Sequence, residues 1–102
     1  MRRYTTPTLP LTIDDIDFSE VSVFRVSIEQ DKIELLKVIN GNDPHVDADH
    51  KTIYVPLTQE ETASFCEGYV AIQVRFKYNN NSIDATDIVN EPIERVLDEV
   101  II

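Results

Sequence analysis

Val70-Ala71-Ile72-Gln73-Val74-Arg75-Phe76-Lys77-Tyr78 puts five apolar side chains on alternate positions with Ala71, Gln73, Arg75 and Lys77 between them. Residues two apart share one face of an extended chain, so this stretch predicts a strand with one face in the core. Just upstream, Leu57 to Gly68 predicts a short helix. Thr58 offers an N-cap hydroxyl and Glu61, three residues on, completes a capping box, while Glu60 and Glu61 face the positive end of the helix dipole. Gly68 is expected to stop the helix in the left-handed conformation. About two and a half turns cannot persist alone, so the helix must pack on a sheet. Downstream, Asn79 to Ser82 is a turn, Ile83 to Val89 returns alongside, and Ile93 to Leu97 forms a last short strand or a continuation beyond Pro92.

Working toward the N-terminus, Val46 to Ala48 and Thr52 to Leu57 read as a hairpin tipped by Asp49-His50-Lys51, with Ile53, Val55 and Leu57 inward. Asn40-Gly41-Asn42-Asp43-Pro44 is a dense turn cluster that must redirect the chain. In Lys32 to Ile39 the period slips: Ile33 and Leu35 share one face, Leu36 and Val38 the other. A bulge or burial on both faces would explain that. Ser22 to Glu29 alternates cleanly, with Phe24, Val26 and Ile28 together. Thr8 to Ile13 suits an edge strand because of Pro7 and Pro10, and residues 1–7 are expected to form a loose arm.

These elements predict an all-β fold: a two-sheet antiparallel sandwich, immunoglobulin-like, of about seven strands with one short corner helix. A small open barrel is the alternative. With 102 residues the chain makes a single domain, 1–102, large enough for one core. The lone cysteine excludes an intrachain disulfide, and a true antibody-type domain is rejected because neither a second Cys nor any Trp is present.

Nineteen acidic against nine basic residues give a formal charge of −10, which opposes phosphate backbones and anionic lipid. Neither nucleic acid nor membrane is expected as a partner, and no secretion signal or membrane-spanning helix is read; protein is the expected partner. Asp43-Pro44-His45-Val46-Asp47-Ala48-Asp49-His50 has metal-ligand residue types, yet no register supplies the Gly and Glu of a calcium loop, so no metal site is assigned. Cys66 sits at the negative end of the helix beside Glu67 and reads as a buried structural residue. A nucleophile elbow and a glycine-rich phosphate loop are both lacking, so no catalytic or cofactor residue is assigned.

The string Thr52-Ile53-Tyr54-Val55-Pro56-Leu57-Thr58-Gln59-Glu60-Glu61-Thr62 with Phe65, together with Val70 to Phe76, Ala85 to Ile88 and Val96 to Ile101, resembles small prophage-encoded proteins. These belong to phages of Gram-positive, often gut-dwelling, bacteria and are described as virion-associated structural proteins. The resemblance implies a non-enzymatic structural or assembly protein that self-associates or joins another virion subunit, cytoplasmic during assembly and then in the virion. It supplies no site motif. Val100, Ile101 and Ile102, together with the N-terminal arm, are the candidate contact residues, since an apolar terminus can add to a neighbour's sheet or groove; the alternative is that the tail closes its own sheet. The competing expectation is an acidic DNA mimic or other prophage-encoded inhibitor that binds protein.

Overall fold

The computed structural model describes all residues from Met1 to Ile102 and contains eight strands, one α-helix and one 3₁₀ turn at Phe18–Glu20. Strands β1 (Thr8–Thr12), β4 (Val46–Asp47) and β5 (Thr52–Pro56) form one sheet in the order β1-β5-β4. The other is ordered β3-β2-β6-β7 and is built from β2 (Val21–Gln30), β3 (Ile33–Asn40), β6 (Gly68–Tyr78) and β7 (Ile83–Ala85), with β8 (Val89–Ile93) also on β6. All pairings between these strands are antiparallel, and the two sheets pack face to face as a β-sandwich. The order is that of an immunoglobulin constant-type sandwich with its second strand exchanged between sheets. The two-residue connection Asp31-Lys32 accounts for the exchange: it turns β2 directly into β3, and Asp31 adopts φ 52° to do so.

The alternation that predicts the central strand is realised in β6, where Val70, Ile72, Val74 and Phe76 are buried. β2 pairs with it through Phe24↔Phe76, Val26↔Val74 and Ile28↔Ile72, so the same face of both strands enters the core. Leu9, Ile53 and Val55 close the core from the smaller sheet. Phe24 is fully buried, with ring centroids 5.2 Å from Phe18 and 6.5 Å from Phe76.

β7 and β8 share the free side of β6. From Ile72 to Arg75 β6 advances three residues while the partner advances four, Val89 back to Ala85, so one extra residue bulges out. Thr86 fills the gap in the ladder: its N–H donates to the Val74 carbonyl at 2.9 Å, and its hydroxyl accepts from the Val74 N–H at 3.1 Å. Pro92 lies within β8, opposite Tyr69, where an outer strand leaves its missing donor facing away from the ladder. Ile93 to Leu97 is therefore no separate strand.

Three other expectations are corrected. β3 has neither a bulge nor two buried faces: it pairs with β2 without a break, Leu36 and Val38 are 45% and 56% exposed, and Lys37 occupies the inward row. Residues 1–7 are fastened. Glu94 N–H donates to Met1 O, Arg3 N–H to Glu94 O, Leu57 N–H to Pro7 O, and buried Thr62 bonds both backbone groups of Thr5. The helix α1 (Gln59–Ala63) is also shorter than predicted, and Gly68 does not end it. Its capping box forms as expected, but Ser64 closes the last turn with its N–H and hydroxyl, both donating to Glu61 O. Gly68, at φ 135°, opens β6.

Lys37 explains its own position. Its ammonium meets the Glu61 carboxylate at 2.7 Å, tying the β3 edge to the cap of α1. Burial opposes ionisation of Glu61, but hydrogen bonds from Lys37 and from the Thr58 N–H outweigh it and hold the carboxyl below the ordinary glutamate value. A folded-state pKa below the unfolded one stabilises the fold fully above the unfolded value, and that stabilisation is lost as pH falls through the folded value. Melting temperature is thus expected to drop as pH falls below about 4.5, and Glu61→Gln should make that drop shallower in thermal melts between pH 5 and 3. Some slope will remain, because Asp17, Asp43 and Asp47 are held low by hydrogen bonds from Ser19, His45 and His50.

Candidate interaction surfaces

Arg3 joins three segments at one end of the sandwich. Its guanidinium donates to the carbonyls of Phe65 and Ala63, and pairs with Glu99 at 2.9 Å. The last carbonyls of α1 thus receive a cation from a segment remote in sequence, where the helix itself has no basic residue. Beyond Glu99 the chain is held again, by a reciprocal pair in which Gln59 Nε2 donates to Ile102 O at 2.6 Å and Ile102 N–H donates to Gln59 Oε1 at 2.9 Å. The candidate contact residues Val100, Ile101 and Ile102 are 59%, 44% and 94% exposed on this pinned backbone, and Leu97 is 91% exposed. Ile102 is tied to Gln59 at the start of α1, and none of these residues adds a strand to its own sheet.

A concavity of about 910 Å³ opens between β1 and the β7/β8 side of the sandwich. Leu11 and Val74 lie on its apolar walls, and Asp14, Asp15, Asp84 and Asp87 on its rim. That rim repels a neighbour's tail, which carries Asp98 and Glu99 before its apolar residues. The outer face of the larger sheet carries both signs: Arg25 stands directly across from Arg75, with Lys77 on the same face, and Glu29 stands directly across from Glu34. A DNA mimic needs one long acidic face, and on this broad face the carboxylates are interrupted by Arg25, Arg75 and Lys77.

The histidines pair locally with aspartates, His45 Nδ1 with Asp43 at 2.7 Å and His50 Nδ1 with Asp47 at 2.8 Å. No three metal-ligating side chains converge anywhere. Cys66, expected in the core, is exposed. Phe65 takes the buried position beside it, and the Gln30 side-chain amide clamps the Cys66 backbone on both its N–H and its carbonyl.

Protein-family models, curated proteins and solved structures yield no match to this chain. No helix of the chain is long and apolar enough to cross a membrane. Sequence reading located the tail but missed Arg3, whose role depends on carbonyls some sixty positions away and left no local signal. The period slip at Leu36 and Val38 was the available sign of an exposed edge.

Proposed function

We propose that the protein is a non-enzymatic structural or assembly subunit of a phage or prophage particle, working through contacts with other protein subunits. The observation that carries this reading is the pinned tail: four exposed apolar side chains, Leu97, Val100, Ile101 and Ile102, next to the fixed points at Glu99 and Gln59. An apolar patch whose backbone is already ordered loses less entropy on binding than a free tail would. A neighbouring subunit would cover it and gain its burial free energy. The phage assignment itself is carried by the sequence resemblance.

Deleting Val100 to Ile102 tests the contact. Light scattering on the full chain should show multimers that shrink on deletion, while the melting temperature changes little because these side chains are already exposed. Unchanged mass would contradict the tail's role. Portal, capsid or tail genes beside the coding sequence are expected, and a metabolic operon there would remove the phage reading.

A further inference from the structure

Four outer edges result from the strand order, and three carry features that discourage pairing with another chain. Pro10 interrupts β1, β4 is two residues long, and the β7/β8 edge is broken by its bulge and by Pro92. The fourth, β3, runs eight residues without proline or bulge. No backbone hydrogen bond outside the β2 ladder reaches Ile33 to Ile39, so alternate N–H and C=O groups along that edge lack a protein partner. An inward-pointing charge also blunts edges. Lys37 is such a charge, but Glu61 of the same chain neutralises it.

We infer that β3 is a self-association edge, pairing antiparallel with β3 of a second copy about a two-fold axis to join the two larger sheets into one. The occupant follows from charge. Two chains of charge −10 repel over most of their surfaces, but Ile33–Asn40 carries only Glu34 and Lys37, and with Lys37 already paired to Glu61 a single carboxylate is the uncompensated charge of this strand. Two-fold pairing places like faces together, so residues directly opposite must have the same parity. Only axes at Leu36 or Lys37 pair seven of the eight residues. The Lys37 axis opposes two ammonium groups, whereas the Leu36 axis sets Leu36 against Leu36 and Ile33 against Ile39. The exposed Leu36 and Val38 side chains then gain partners on the outer face. This inference does not depend on the phage reading or on the tail.

The test uses the full chain. Sedimentation should give a dimer whose dissociation constant rises about tenfold in Leu36→Glu, which opposes two carboxylates at the axis. Circular dichroism checks that the variant still folds. In a Cys66→Ser background, Leu36→Cys should form an intermolecular disulfide on mild oxidation, and Glu34→Cys should not, because Glu34 faces Val38 of the other copy. A dimer indifferent to Leu36→Glu, a crosslink equally efficient from position 34, or a monomer at the highest soluble concentration would overturn the inference. If tail deletion alone abolishes association, the β3 edge is wrong and the assembly reading stands. If Leu36→Glu alone abolishes it, the tail is wrong and the edge stands.

Discussion

Gly41→Ala is expected to cost about 3 kcal/mol, measured as a shift in the midpoint of chemical denaturation. A Cβ at Gly41 would lie 2.0 Å from the Val21 carbonyl oxygen, well inside contact distance, and that oxygen belongs to the backbone and cannot rotate away. The approach is fixed from both sides: Gly41 N–H donates to Ser22 O at 2.9 Å, and the β2–β6 register shifts between Val21 and Val23. Any relief must move the start of β2 or the β3–β4 crossover. Gly68 provides the comparison. Its φ of 135° disfavours other residues, yet an added Cβ there meets only the Gln30 side chain at 3.9 Å. Gly68→Ala should therefore cost less, about 1–2 kcal/mol of backbone strain. If Gly68→Ala proves the more damaging, the crossover is packed differently from this account.

Phe24→Ala should cost about 3–5 kcal/mol, a large part of the roughly 5–15 kcal/mol that holds a domain of this size together. Phe24 is fully buried where Phe18 and Phe76 converge, and removing its ring empties the centre of the sandwich. The alanine variant risks being unfolded at room temperature, so Phe24→Leu supplies a graded measurement. It retains an apolar filling and should cost about 1–1.5 kcal/mol in urea denaturation. Equal losses for Phe24 and for exposed Leu36 on truncation to alanine would contradict the assignment of inner and outer faces.

The sandwich is legible in the sequence wherever a residue's neighbours in the chain decide its environment. Val70 to Tyr78 and Ser22 to Glu29 alternate because each strand has one face in the core, and Thr58 with Glu61 announces a helix start because both partners lie within one turn. Reading fails where the deciding partner is distant. Gly68 looks like a helix stop, yet α1 ends earlier because Ser64 bonds its last turn and Arg3 reaches its final carbonyls. Lys37 breaks the apolar period of β3 because Glu61 awaits it across the sandwich. Cys66 reads as buried by residue type, but the Gln30 clamp turns its peptide outward beside Phe65.

The candidate surfaces divide along the same line. The apolar tail is visible as Val100-Ile101-Ile102, while its anchoring by Gln59 and Arg3 is not. Pro10 in β1 is plain in the sequence as an edge residue, and Pro92 in β8 as a limit on pairing. The lack of protection on β3 emerges only once the strand order shows it to be an edge.

Amide hydrogen exchange across Ile33 to Asn40, followed as protein concentration is raised, tests the central claim most directly. The account predicts that alternate β3 amides, open to solvent in the single chain, become protected as copies pair, while the β7/β8 edge exchanges at an unchanged rate. Exchange along β3 that is independent of concentration, or protection that arises at β7/β8 instead, would contradict it.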